Sequence, residues 1–210
     1  MDFNELASKE YTKLTKSYEP LQSSKFSIYT MGLPASGKTT SAKKTLAEMG
    51  IPLESIVFLD PDDIMTRLKG YKDSLRGEAL QKYNRNAIII TSKVLDMFLE
   101  NGISFIYFGT GKGYAGYSRN MRKSKKLGFT NVLINVELDV ETAVMRNSLR
   151  SRSVGRSVIE SISKTFDEPV KKTSPEKRLE AYMKLCDFGY RVDTSQNPPI
   201  IELMRWIQIK

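Results

Sequence analysis

Apolar residues along this chain cluster into short dense runs, separated by stretches in which they recur every three or four positions. The runs at 26–31, 55–59, 103–108 and 131–138 are the length of buried strands, and each is followed by a turn signal or an acidic cluster. The intervening stretches carry helical spacing. One helix runs through Ala42 to Met49 and stops at Gly50. A longer one covers 77–100, with Ala79, Tyr83, Ala87, Ile90, Val94 and Phe98 near one face. A basic helix spans about 116–127 and ends at Gly128, and Asp139 N-caps the helix that carries Arg146 and Arg150. Two further helices are expected at 157–166 and 174–187, with residues 190–192 and 200–203 supplying a last strand and a closing segment. Ahead of all this, Tyr11, Leu14 and Tyr18 form one helical stripe, which Glu19-Pro20 is expected to terminate.

Strands alternating with helices at this spacing predict an α/β fold with a parallel sheet covered on both faces. In such sheets ligands lie beyond the carboxyl ends of the strands. Three loops fall there: the glycine-rich segment after the first run, Asp60-Pro61-Asp62-Asp63 after the second, and Gly109-Thr110-Gly111 after the third. The chain divides into a helical extension, 1–24, and one domain, 25–210.

The composition excludes several chemistries. The 210 residues include one cysteine, Cys186, and no histidine, so an internal disulfide framework, His-ligated zinc and Ser-His or Cys-His pairs are ruled out. A general base must therefore be a carboxylate, a lysine or a tyrosine. No apolar run approaches the roughly 20 residues of a membrane span, and the first residues lack a secretory pattern. The expected compartment is the cytoplasm, of a cell or of the host of a virus or plasmid, with no membrane partner.

The net charge of +9 is concentrated. Lys112, Arg119, Arg122, Lys123, Lys125 and Lys126 lie in a segment without an acid, and so do Arg146, Arg150, Arg152 and Arg156. These ten cations slightly exceed the net charge, so the remainder is close to neutral. Solvated helix faces would account for such segments, but an anionic ligand is the stronger reason. Arg119, Arg122 or Lys123, and Lys126 recur at helical spacing, a stripe suited to acceptor phosphates or a nucleic-acid backbone. Only Tyr114 and Tyr117 interleave with them, a modest nucleic-acid signal.

The sharpest motif is Gly32-Leu33-Pro34-Ala35-Ser36-Gly37-Lys38-Thr39, a full G-x-x-x-x-G-K-[ST] match placed between a strand and a helix and followed by Thr40. Gly32 and Gly37 allow successive amides to point at phosphate oxygens, and the helix that follows adds its positive end. Lys38 would reach the β- and γ-phosphates of ATP or GTP, and the Thr39 hydroxyl would ligate Mg²⁺. Asp62 is placed to accept the proton of an attacking hydroxyl, with Asp60 and Asp63 as alternatives for that role. Asp63 also suits the N-cap of a helix beginning near Ile64. Residues 146–160 read as a lid, with Arg146 and Arg150 one helical turn apart and Gly155 as a bend.

These motifs, in this order, resemble the zeta-toxin-like P-loop kinases, relatives of the phage polynucleotide 5′-kinases. The resemblance runs from about Phe26 to Ser195 and implies a kinase-type P-loop NTPase fold in three layers, with an arginine-bearing lid. It implies Asp62 as catalytic base, Thr110 within a substrate loop, and Arg146 and Arg156 on phosphates. It also implies a small-molecule acceptor such as UDP-N-acetylglucosamine, with a polynucleotide or nucleoside acceptor as the alternative, and an antitoxin-like protein partner. A nucleotide-binding subunit without catalysis is the third reading. One departure stands out: the family commonly has a glutamate before the threonine of the third-strand loop, and here that place holds Phe108.

Overall fold

The computed structural model describes residues 2–150, 152–171 and 174–204. In chain order the elements are α1 (Phe3–Leu14), β1 (Phe26–Gly32), α2 (Lys38–Glu48), β2 (Val57–Leu59), α3 (Pro61–Thr66), α4 (Gly77–Glu100), β3 (Phe105–Tyr107), α5 (Tyr114–Lys126), β4 (Thr130–Glu137), α6 (Val140–Ser148), α7 (Arg156–Asp167), β5 (Pro169–Lys171), β6 (Ser174–Lys177), α8 (Arg178–Met183), β7 (Phe188–Asp193) and β8 (Ile200–Met204). Six strands form one sheet in the order β2-β3-β1-β4-β7-β8. The first five are parallel, and β8 pairs antiparallel with β7. The expected mostly parallel α/β sheet is what these strands build.

Alternation along β1 shows how the layers arise. Ile28 points to one face, where it meets Ala42 and Leu46 of α2 together with Ile106, Val132 and Val192. Tyr29 points to the other, against Phe105, Leu133 and the apolar sides of α4 and α5. Because successive strand side chains alternate, one seven-residue strand serves two cores at once. The central strands are buried on both faces, which is why they read as mostly apolar runs.

The N-terminal segment joins this core. Asp2 caps α1 by accepting from the amides of Asn4 and Glu5. Tyr11 stacks at 5.7 Å from Phe98 of α4, and Arg67 at the end of α3 donates from both Nε and Nη2 to the Glu10 carboxylate, with Nη2 at 2.6 Å. The helix stops at Leu14, earlier than Glu19-Pro20: Thr15 still bonds the Tyr11 carbonyl, but the Tyr18 amide turns to the Thr15 carbonyl and the Glu19 amide to the Glu54 carbonyl. Tyr18 then lies outside the helix, and its hydroxyl accepts from the Ser104 amide.

Two other expectations are corrected. The helix expected at 174–187 is confined to α8, and its first residues form β6, antiparallel to β5. Pro175 explains the difference, since it disfavours helical backbone at the residue before it and lacks an amide hydrogen. The second strand is shorter than expected, because Leu53–Ser55 is a 3-10 turn.

Candidate active site

The chain leaves β1 at Gly32, whose φ is +149°. A Cβ there would lie 2.5 Å from the Val136 carbonyl oxygen, so a side chain would have to displace the neighbouring strand. The loop then turns through Ala35 (φ +59°) and Gly37 (φ +82°) into α2. The first α2-ward amide to find a helical acceptor is that of Ser41, bonded to Gly37 at 2.9 Å. The preceding amides face the cleft at the positive end of the helix, as an anion site requires. Lys38 folds back over the loop, donating to the carbonyls of Leu33 (2.7 Å) and Gly32 (3.3 Å). Burial of its ammonium lowers the pKa to about 8, a shift that nearby Asp60 and Asp62 oppose. Such a cation gains strongly from a phosphate partner.

Neighbouring strands fix this loop in place. The Thr30 hydroxyl exchanges hydrogen bonds with Gly109, accepting from its amide and donating to its carbonyl, each at 3.1 Å. The Gly32 amide donates to the Thr110 carbonyl at 3.3 Å. On the other side Thr194, just past β7, places its hydroxyl 3.1 Å from the Ser36 carbonyl, and its own carbonyl accepts from Arg146 at 2.9 Å.

Across the cleft, β2 ends in Asp60. Its carboxylate caps α3, accepting from the Asp62 amide at 2.8 Å. The cap is therefore Asp60, and not Asp63 as the sequence suggested, because α3 begins at Pro61. Burial raises the Asp60 pKa to about 6. Asp62 is half exposed and pairs with Arg152 at 2.8 Å.

A cleft of about 880 Å³ joins these groups. Of the residues expected from sequence, Pro34, Ala35, Gly37, Lys38, Thr39, Thr40, Asp62, Thr110, Arg119, Arg146 and Arg150 line it. Gly32 and Ser36 lie beneath it, Ser36 fully buried with its hydroxyl 3.0 Å from where a Gly32 Cβ would stand. Arg150 reaches the cleft by a route other than the expected one. α6 ends at Ser148, and Arg150 follows the helix instead of sharing a face with Arg146. Arg156 is turned away from the cleft. It starts α7 and is held by Glu141 and Glu160, half exposed. The arginine segment thus does have acidic partners, but they lie outside its own stretch of chain. On the basic helix Lys123 pairs with Asp96 and Lys125 with Asp187, while Arg119 lines the cleft.

Sequence reasoning missed the far wall, which α4 supplies through Asn84, Ile88 and Ser92 and α5 through Asn120. The α4 residues recur every four positions on one helical face, a spacing that the core stripe through Val94 and Phe98 obscured. Tyr107 and Phe108 also line the cleft, and Phe108, 5% exposed, packs 5.6 Å from Phe58.

The Thr39 hydroxyl and the facing carboxylates of Asp60 and Asp62 fit a hard divalent cation shared with phosphates. Among the described residues no group of three or more potential ligands would cage a metal unaided. A pH effect follows from Asp60. With its folded pKa above the unfolded value, the folded state holds the extra proton between about 4 and 6 and loses that stability as pH rises through about 6. Urea denaturation of Asp60→Asn and wild type is expected to show the wild type losing ground to the variant across that window. Parallel pH profiles would contradict the burial of this carboxyl.

Comparison with known proteins is consistent with this geometry. Residues 28–169 match the family described as AAA domain (AAA_33). Adenylate kinase isoenzyme 1 of Cyprinus carpio is 28% identical over 155 residues, covering 70% of this chain and 77% of the relative. In fold, the chain is similar to a structure from the characterisation of the PezAT chromosomal toxin-antitoxin system of Streptococcus pneumoniae. That match has a TM-score of 0.69 at 13% identity, over 92% of this chain and 78% of the other. It is also similar to the AvrRxo1-ORF1:-ORF2 complex with ATP, at TM-score 0.66 and 11% identity, over 96% of this chain and 64% of that one. The fold is that of P-loop NTPases of the kinase kind. Among the described residues no helix is long and apolar enough to cross a membrane.

Proposed function

The chain belongs to the AAA domain family, and from that premise we propose that it is a phosphotransferase moving the γ-phosphoryl group of ATP or GTP onto an acceptor hydroxyl. The observation that carries this reading is that Asp60 and Asp62, the phosphate-binding loop, and Arg146, Arg150 and Arg152 all line one cleft. A volume of about 880 Å³ lies toward the upper end of the range of about 300–1,000 Å³ for small-molecule sites. A binding subunit without catalysis would not need the Asp60–Asp62 wall.

In this mechanism the loop amides and Lys38 hold the β- and γ-phosphates, and Arg146 and Arg150 neutralise charge on the transferring group. Thr39 would hold Mg²⁺, and the ion would supply positive charge to offset that of the phosphates. Asp62 accepts the acceptor's hydroxyl proton and orients that oxygen in line with the departing phosphoryl group. The acceptor lies against Asn84, Ser92, Thr110, Arg119 and Asn120, whose amides, hydroxyls and single guanidinium suit a polar molecule carrying an anionic group. A sugar nucleotide has that chemistry. Phe108 packs into the apolar layer, so the recognition that a glutamate would supply there falls to α4 and α5 instead.

Exposed Arg122 and Lys126 extend the basic line of Arg119 along α5, which favours a 5′-hydroxyl oligonucleotide as the second reading. Labelled ATP, Mg²⁺ and a panel of UDP-sugars, nucleosides and 5′-hydroxyl oligonucleotides separate the two. Sugar-nucleotide transfer is expected to be nearly insensitive to ionic strength, whereas oligonucleotide affinity falls steeply with salt. Tight ATP binding without transfer or hydrolysis would sink both.

A further inference from the structure

One oxygen of the Asp62 carboxylate is already engaged. Arg152, in the connection between α6 and α7, donates from Nη2 to Asp62 Oδ1 at 2.8 Å across 90 positions of sequence. The arginine side chain is 23% exposed and the aspartate side chain 52%. An ion pair with one half-exposed partner contributes about 0–1 kcal/mol to stability, so folding alone gives little reason for it. Its larger effect is on direction. Asp62 sits in the first turn of the six-residue α3, with its amide tied to Asp60 and its carboxylate tied to Arg152. Backbone and side chain are thus each held by one bond, which leaves Oδ2 in a defined place. Arg146 and Arg150 line the same cleft, but Arg146 is bonded to the Thr194 carbonyl, and among the described residues only Arg152 of the three pairs with the acid.

We propose that Arg152 is a positioning residue acting through Asp62, holding Oδ1 so that Oδ2 is left for the acceptor hydroxyl, and is not a third phosphate clamp. The inference rests on the phosphotransfer reading with Asp62 as base. Proton transfer needs donor and acceptor within about 2.6–3.2 Å, and a misplacement of about 1 Å costs on the order of 100-fold in rate. A freely rotating carboxylate loses part of that advantage.

The test uses full-length protein, γ-labelled ATP with Mg²⁺, and whichever panel acceptor the wild type phosphorylates fastest, or water if hydrolysis exceeds them all. Arg152→Gln is expected to lower kcat about tenfold while the KM for ATP moves less than about twofold, and Arg152→Lys to recover part of the loss. Placed in an Asp62→Asn background, Arg152→Gln is expected to have no further effect, because its action runs through the carboxylate. A raised KM for ATP, with the loss undiminished in the Asp62→Asn background, would assign Arg152 to the phosphates and overturn the proposal. Unchanged kcat in Arg152→Gln would overturn it as well. Should Arg152→Gln fail to fold, the same kcat-against-KM division is read from Arg152→Lys. Wild-type protein that turns over no ATP with any acceptor or water defeats the phosphotransfer reading itself, a result distinct from active wild type with additive variants.

Discussion

Asp62→Asn is expected to lower phosphoryl transfer by about 100- to 10,000-fold, the range for removing a positioned general base, with ATP affinity changed less than about twofold. In the proposed mechanism the two effects separate because Asp62 acts on the acceptor hydroxyl, while the loop amides and Lys38 hold the phosphates. Asparagine keeps the size and the polar contact with Arg152, and the Asp62 amide still donates to Asp60, so α3 retains its cap. What is lost is the capacity to take a proton and the negative charge that pairs with Arg152. Single-turnover transfer and calorimetric titration with ATP measure the two quantities. Near-normal turnover would move the base to Asp60, the other carboxylate on this wall, and the same assay on Asp60→Asn would show it.

Lys38→Ala is expected to weaken ATP binding by about 10- to 150-fold, since a charge-assisted hydrogen bond of about 1.5–3 kcal/mol is lost. Transfer at saturating ATP should fall further, because the same cation faces charge that builds during reaction. The protein without nucleotide should still fold. The buried ammonium is held below its ordinary pKa, so between about 8 and 10.5 the unfolded chain binds more protons and wild-type stability rises with pH. Alanine removes that rise. Calorimetry with ATP, together with urea denaturation from pH 7 to 10, reads both effects. Unaltered ATP affinity would show that the loop does not use Lys38 as the motif implies.

The phosphate loop was legible because its chemistry is local. Eight consecutive residues supply the amides, the lysine and the hydroxyl, and Gly32 and Gly37 mark backbone that other residues do not readily adopt. The strands were legible for a related reason: burial on both faces leaves mostly apolar runs at 26–32 and 130–137. What was misread lies where partners are remote. Arg146, Arg150, Arg152 and Arg156 looked alike in a segment without acids, yet Arg152 meets Asp62 and Arg156 meets Glu141. Glu160, one helical turn beyond Arg156, stands at the spacing of an ion pair just past the last of these arginines. The acceptor wall was hidden because Asn84, Ile88 and Ser92 share α4 with a stronger apolar stripe.

By itself, then, the sequence determined that this is a parallel α/β chain with a triphosphate loop at a strand end, since short-range periodicity and one contiguous motif encode both. Only the tertiary structure decided which cations face the cleft, which carboxylate is buried and which is held by an arginine, and what surrounds the acceptor. Those properties depend on desolvation and on pairings up to 90 positions apart, which no local spacing along the chain specifies.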